Sequence, residues 1–540
     1  MTGRWLARKI SPWVAAALSG ALIALCFPRF DQSWLCWIAL TPLLWALWFS
    51  PDDGARGRRV WLKKAGLGFC TGVTFFSITF FWLTTVTGLM EPRVLGFLAW
   101  FGLMSYLALY FALWGWFTGC VAFPAGSNPA KFLSSRHNLG LGIICAAAWV
   151  GQEWLRGTVF SGFGWNNIGV ALHASILLIQ IADITGVAGM SFMVVMCNVI
   201  LVVTVRRFVQ EVRSGKVRPH YDFTLTVAMV GIVFAYGVHA MMQHEETIPL
   251  RVAAVQANVP ETEKFDYVYE DKILQRYQGL TDTAIAMNPQ LLLWPEAATP
   301  RGMFADQENY DFVENLAAKG DFGFLLGTLD SDKDGDYNVA VLLTGHGKNA
   351  QTHRKMHLVP FGEYIPARHE FPLFAKLAGD LVPGDFRPGT EYNVLQMQNP
   401  PVKLGVLICF EDTLGDLTRH FVLNGAQALV NITNDGWFLK SAAAEQQLAH
   451  AVFRTIETRR PLIRCANTGV TCFVDTAGRV GQSLRSEKGD SFVEGILFGS
   501  VNVPVNGPLT FYVRHGEWLT YASLVLCALL IAKHFFKRRA

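Results

Sequence analysis

Apolar positions follow two patterns along this chain. Through the first 240 residues they come in long unbroken runs, whereas from Leu250 they come in short runs divided by turn residues. A membrane-spanning helix needs about 20 mainly apolar residues. The runs near 12–27, 33–49, 66–87, 94–122, 140–156, 174–205, 223–242 and 517–536 predict eight spans, seven before the short-run region and one after it.

In the short-run region, RVAAVQANV, QLLLWPE, FGFLLGTL, NVAVLLTG, VKLGVLICFED, AQALVNITNDGWF, PLIRCANTGVTCFVD and GILFGSVNVPV read as strands. YVYEDKILQRYQGLTDTAIAM, DTLGDLTRHFVLNGA and SAAAEQQLAHAVFRTIETRR space their apolar residues as helices do. Strands alternating with helices predict one α/β domain whose sheet faces are covered by helices. No repeat of 20 to 50 residues is evident. The expected division is 1–242 as a membrane domain of seven helices, 243–510 as a catalytic-type α/β domain, and 511–540 as a last helix with a basic tail.

Composition supports the same division. Of the 540 residues 51% are hydrophobic and 16% charged, against roughly 25% charged in ordinary globular proteins, and mean hydropathy is +0.28. An entirely soluble chain is excluded. The net charge of +4 is small and its basic residues form no single face, so nothing points to nucleic acid. Lys and Arg in short loops orient spans toward the cytoplasm. Arg4, Arg8 and Lys9, then Arg56, Arg58, Arg59, Lys63 and Lys64, then Lys131 and Arg136, then Arg206, Arg207, Arg213, Lys216 and Arg218, and finally Lys533, Lys537, Arg538 and Arg539 all fall on one side if eight spans exist. Both termini are then cytoplasmic and the α/β domain is exported. The first run is not read as a cleaved signal, because another run follows at once and Leu25 is large for a residue preceding a lipoprotein-type cleavage. Within the spans, Glu153 and Arg156 lie three apart on one helix and are read as a structural pair that snorkels near the helix end.

The ten cysteines show no CxxC and no paired spacing, so neither a zinc site nor a disulfide framework is indicated. Three loops place a reactive side chain at or beyond a strand end, where sites of α/β folds gather. Glu296 follows LLLWP, Lys355 lies in QTHRKMHLVPFGEYIP, and Cys409 ends VKLGVLIC before a helix expected near Asp412. A thiol needs a base or a helix N-terminus to act as thiolate. A carboxylate can carry its proton, and an ammonium or backbone N–H can hold an oxyanion. Together they fit acyl transfer through a thioester. Taken singly, Cys409 reads more readily as a core cysteine than as a nucleophile, and Glu296 and Lys355 more readily as surface groups. His353 and His357 lack a third ligand, so no metal is expected, and GHGKN lacks phosphate-loop spacing.

The set LLWPEAA, RKMHLVPFGEYIP, GVLICFED, NITNDGWF and FRTIETRRPLIRCANTG resembles the nitrilase (carbon-nitrogen hydrolase) superfamily. With spans before and after, and with EWLRG and SGFGWNNIG, the chain resembles over nearly its full length the bacterial apolipoprotein N-acyltransferase family. The resemblance implies a multi-pass α-helical membrane bundle carrying a periplasmic nitrilase-type αββα sandwich in the bacterial inner membrane. It implies a phospholipid acyl donor, a diacylglyceryl-modified apolipoprotein acceptor and no cofactor. Cys409 would be the nucleophile, Glu296 the general base and acid, and Lys355 the oxyanion stabiliser. Glu363 and Glu411 match further family carboxylates, the Phe410 N–H is a candidate second oxyanion donor, and Trp437 and Tyr364 are candidate substrate-binding residues. Phe410 stands where the family often has Tyr, and Leu439 where it often has Gly. Two other readings stay open: a membrane-anchored amidase that discharges the thioester to water, and a transporter or receptor whose exported domain only binds a ligand.

Overall fold

The computed structural model describes residues 11–50, 58–87, 93–123, 129–215, 217–264, 266–366, 368 and 385–539. Arg4, Arg8, Lys9, Arg56 and Lys216 of the charge pattern lie outside that set. The chain forms two compact units, one of 1–242 with 517–540 and one of 243–516.

The first unit is helical. Among the described residues, four helices are long and apolar enough to cross a bilayer: Arg93–Ala122, Val187–Ser214, Tyr221–Met241 and Trp518–Phe536. Arg58–Thr79 and Ser135–Thr158 have 22 and 24 residues but interleave polar groups, such as Lys63 and Lys64 or Gln152, Glu153 and Arg156. Pro12–Leu25 and Ser33–Phe49 are apolar and shorter. Where Arg58–Thr79 crosses Arg93–Trp116, Gly68 allows close approach: a Cβ there would lie 2.2 Å from the Phe111 carbonyl oxygen.

The run 174–205 is not one helix, because Ile176–Ile179 and Ala182–Thr185 stop at Gly186, whose φ of 63° is outside the helical range. The long helix starts at Val187 and continues to Ser214, so Arg206, Arg207 and Arg213 are helical, not loop, residues. Arg207 is buried, 3.0 Å from Glu211 and 3.3 Å from Asp222, and so links this helix to Tyr221–Met241. Glu153 and Arg156, expected to snorkel, are likewise buried and hold the loop that follows their helix. Arg156 donates to the carbonyls of Phe163 (3.0 Å) and Trp165 (2.6 Å) and to Asn167 Oδ1 (2.6 Å). Glu153 accepts from Trp149 Nε1 (2.8 Å) and the Ile168 N–H (2.7 Å).

The second unit is built on twelve strands among the described residues. The first five are β1 Thr247–Gln256, β2 Leu291–Leu293, β3 Gly323–Asp332, β4 Gly335–Thr344 and β5 Asn349–Arg354. The next four are β6 Val394–Gln396, β7 Lys403–Ile408, β8 Ala428–Thr433 and β9 Leu462–Ala466. The last three are β10 Cys472–Val474, β11 Val480–Ser483 and β12 Gly495–Pro504. They form two sheets, ordered β12-β1-β2-β3-β4-β5 and β11-β10-β9-β8-β7-β6. Each has three parallel strands at its centre, β1-β2-β3 and β7-β8-β9, with antiparallel flanks.

Alternation along each strand divides the apolar side chains between two cores. Leu250, Val252 and Ala254 meet Val406, Ile408, Val430 and Ile432 between the sheets. Ala253, Val255, Leu292 and Phe324 turn outward onto Ile273 and Tyr277 of helix Glu270–Ala286 and Val313 and Leu316 of helix Gln307–Ala317. Helices Gly415–Leu423 and Ala443–Thr458 cover the second sheet, giving the expected αββα layering. Burial on both faces explains why central strands such as LLLW and ALVNI read as continuous apolar runs.

Candidate active site

The three candidate side chains follow the ends of β2, β5 and β7. After β2, the loop bearing Glu296 is laced to β3: Trp294 N–H donates to Leu325 O (2.9 Å), Ala298 N–H to Gly327 O (2.8 Å), and Gly327 N–H to Pro295 O (3.1 Å). Position 327 admits only hydrogen as its side chain, since a Cβ would lie 2.6 Å from the Glu296 Cα. Lys355 directly follows β5 and its N–H donates to Asn338 O at 2.8 Å. Cys409 directly follows β7 at φ 56°, a left-handed conformation uncommon for residues other than glycine.

Glu296, Lys355 and Glu363 form one buried cluster. Lys355 Nζ is 3.3 Å from Glu296 Oε1 and 2.8 Å from Glu363 Oε1. Asn338 Nδ2 donates to the same two oxygens, at 2.8 and 3.1 Å, and the Val359 N–H donates to Glu363 Oε2 at 2.7 Å. Burial alone would lower the Lys355 pKa, but Glu363 and then Glu296 outweigh it and hold the ammonium well above its ordinary range. Lys355 stays charged.

Cys409 lies within electrostatic reach of all three. Burial pushes its thiol pKa up and the Glu296 charge adds to the rise, while Lys355 and the Thr433 hydroxyl oppose it. The expected helix start near Asp412 is corrected: a 3₁₀ turn covers Cys409–Thr413 and the α-helix begins at Gly415. No helix N-terminus follows the sulfur directly, and the resting group is a thiol that requires a base.

A second buried network fixes the turn. The Cys409 carbonyl accepts from Asn431 Nδ2 (2.8 Å) and Gln447 Nε2 (3.0 Å). Gln447 also donates to Asp412 Oδ1 at 2.9 Å. Arg464 hydrogen-bonds Asp412, Asn431 Oδ1 (2.8 Å), both Asp435 oxygens (3.2 Å) and the Val470 carbonyl (3.0 Å). Glu411 accepts the N–H groups of Met356 (2.8 Å), His357 (2.9 Å) and Ile408 (2.8 Å), tying the lysine loop to the cysteine turn. Burial raises the Glu411 pKa to about 7 and that of Asp412 to about 6.

Of the other candidate residues, Phe410 packs edge-on against His357 with ring centroids 5.3 Å apart. Trp437 is 47% exposed in the 3₁₀ turn Asp435–Phe438. The Tyr364 carbonyl accepts the Phe361 N–H at 2.7 Å. Sequence reasoning passed over Asn338, Asn431, Gln447, Arg464 and Lys264. Lys264 is buried and donates to the Glu296 carbonyl at 2.9 Å, and burial lowers its pKa against the pull of Glu261, Glu296 and Cys409. The one available signal was the motif pair NITND and RCANTG, which contains Asn431 and Arg464. Among the described residues, no group of three His, Cys, Asp or Glu side chains could hold a metal ion.

The family model described as apolipoprotein N-acyltransferase N-terminal domain matches residues 19–200, and that of carbon-nitrogen hydrolase matches 251–499. The chain is 33% identical to an apolipoprotein N-acyltransferase of Geobacter metallireducens, over 97% of this chain and 96% of that protein. It belongs to the apolipoprotein N-acyltransferase family. A Thermotoga maritima protein of the same name is 30% identical over 98% of this chain and 94% of its own length. Among solved structures, a carbon-nitrogen hydrolase from Helicobacter pylori is 17% identical, with a TM-score of 0.36, over 47% of this chain and 89% of that one. As a member of the N-acyltransferase family the chain is an acyltransferase, which sets aside the reading as a ligand-binding or transport protein.

Proposed function

We propose that this acyltransferase moves an acyl chain from a membrane phospholipid onto Cys409, and from there to the α-amino group of the N-terminal S-diacylglyceryl-cysteine of apolipoproteins. The observation that carries the reading is Lys355 held between Glu296 and Glu363, with Cys409 within electrostatic reach of all three. As Sγ bonds to the ester carbonyl carbon, Glu296 takes the thiol proton. The carbonyl oxygen becomes an oxyanion held by the Lys355 ammonium and the Phe410 N–H. The ester C–O bond then breaks, Glu296 returns the proton to the departing lysophospholipid oxygen, and a thioester remains. In the second half the neutral amine attacks that thioester, Glu296 accepts its proton and passes it to the leaving Cys409 sulfur, and an amide forms. Glu363 holds Lys355, Glu411 holds the two loops together, and Trp437 and Tyr364 contact substrate. The chemistry requires neither metal nor cofactor.

The membrane arrangement belongs to the same proposal. Eight helices, seven within 1–242 and one within 511–540, cross the bacterial inner membrane with both termini cytoplasmic and the catalytic domain 243–510 in the periplasm. ATP is not available on that side, so the acyl group comes from an existing ester, and conversion of ester through thioester to amide runs downhill. Intact mass of the purified enzyme after incubation with phospholipid tests the reading. A one-acyl adduct on Cys409, labile to hydroxylamine and passed to a diacylglyceryl-cysteine peptide, is expected, and Cys409→Ala is expected to abolish both. Absence of an adduct, or discharge to water but not to the peptide, overturns it.

A further inference from the structure

We propose that the side-chain amides of Asn431 and Gln447 are positioning residues that aim the Phe410 N–H at the oxyanion. The inference rests on the thioester reading above and deepens it. The Cys409 carbonyl and the Phe410 N–H belong to the same planar amide, which is trans, so the two groups point in opposite directions. Whatever fixes the carbonyl also fixes the N–H. Two donors from different elements converge on this carbonyl oxygen: Asn431 Nδ2 from β8 at 2.8 Å and Gln447 Nε2 from helix Ala443–Thr458 at 3.0 Å.

The turn needs such support. Cys409 has φ 56°, a left-handed conformation that is strained for a residue with a side chain. A rotation of the Cys409–Phe410 peptide plane would swing the N–H away and put the carbonyl where the oxyanion must form. Both amides are themselves restrained. Asn431 Nδ2 also donates to Leu407 O (3.1 Å) and its Oδ1 accepts from Arg464 (2.8 Å). Gln447 Nε2 also donates to Asp412 Oδ1 (2.9 Å). Asn431 and Gln447 are each fully buried, so water does not replace a lost donor readily. Neither amide is a catalytic residue, since each acts through the backbone of the nucleophile.

The test separates aiming of the N–H from reactivity of the sulfur. Alkylation of Cys409 by iodoacetamide needs a thiolate but no oxyanion donor, whereas acylation needs both. In Gln447→Met and, independently, Asn431→Leu, single-turnover acylation of the enzyme by phospholipid is expected to slow by about 10- to 100-fold, with the alkylation rate staying within about twofold. Both variants remove a donor without adding a charge near the sulfur, and retained alkylation shows that the site is folded. Equal acylation in variant and wild type overturns the inference. So does a parallel fall in both rates, which marks a role in the thiol or in folding. If the wild-type enzyme forms no adduct with phospholipid, the proposed function fails instead, and the same ratio is read with p-nitrophenyl butyrate, whose acyl transfer passes through the same oxyanion.

Discussion

Two buried clusters in the catalytic unit carry the same charges and differ in what they leave open. One is Lys355 between Glu296 and Glu363, and the other is Arg464 between Asp412 and Asp435. Each sets one cation against two carboxylates. The guanidinium presents five N–H donors in a fixed fork, and Arg464 engages all three of its nitrogens with Asp412, Asp435, Asn431 and the Val470 carbonyl. The ammonium has three donors, of which the carboxylates take two. A lysine suits the first place because it can offer a further donor to an oxygen that carries charge only briefly. An arginine suits the second because a closed cluster has to satisfy every partner at once.

The comparison can be tested by disturbing each cluster in turn. The largest expected effect is on chemistry: Lys355→Met slows single-turnover acylation by about 10³-fold, in line with loss of an oxyanion donor, and Lys355→Arg restores little because the fork does not fit a point-charge site. Recovery to within tenfold by Lys355→Arg would remove the distinction between the clusters. Next, Arg464→Leu should lower unfolding free energy by about 3–5 kcal/mol, because two buried carboxylates lose their cation. This is read as a drop in the urea midpoint of the detergent-solubilised enzyme, and a midpoint near wild type would mean that the network carries no stability.

The third effect is on reactivity against pH. With its folded pKa raised, Cys409 should react with iodoacetamide at a rate that keeps climbing through pH 9.5. Glu296→Gln raises the rate at pH 8 by removing a charge that opposes the thiolate, and Lys355→Met lowers it. A plateau below pH 8.5 would contradict the upward shift of the thiol pKa. The smallest effect lies outside both clusters. His353 in β5 is buried with neither ring nitrogen hydrogen-bonded among the described residues, and burial lowers its pKa to about 4. His353→Leu should stabilise by about 1 kcal/mol at pH 8. The unfolded imidazole binds its proton near pH 6.5, so wild type loses stability as pH falls from there toward 4. The gain in the variant should therefore be larger at pH 5 than at pH 8, and equal melting shifts at both pH values would remove the role of imidazole burial.

The sequence made the first cluster readable and concealed the second, for a physical reason. Glu296, Lys355 and Cys409 follow strand ends, where an apolar run stops at a polar residue and draws attention. Arg464 lies inside β9, whose pattern LIRCA reads as a buried strand, and only the tertiary approach of Asp412 and Asp435 explains a charge there. Lys264 sits in ETEK, which reads as a solvated charged loop. The central strands and three of the domain's helices were evident from their apolar spacing. The edge strand NAQTHR was not, because an edge lacks apolar alternation on two covered faces. Helix Gln307–Ala317 was missed because QENYDFVENLA shows few apolar positions, four of its residues being buried. In the membrane part, the apolar stretch through 174–205 masked the break at Gly186, since hydropathy reports solvent preference and not backbone direction.

The tight approach of Gly327 to the Glu296 Cα has a genetic meaning. Residue 327 bears no reactive atom, yet exchange of one nucleotide that gives alanine there would push aside the proposed base in the loop after the neighbouring strand. A screen for inactive alleles should therefore recover Gly327 beside the acid, the lysine and the cysteine, and the resulting protein should still accumulate in the cell while failing to transfer an acyl group.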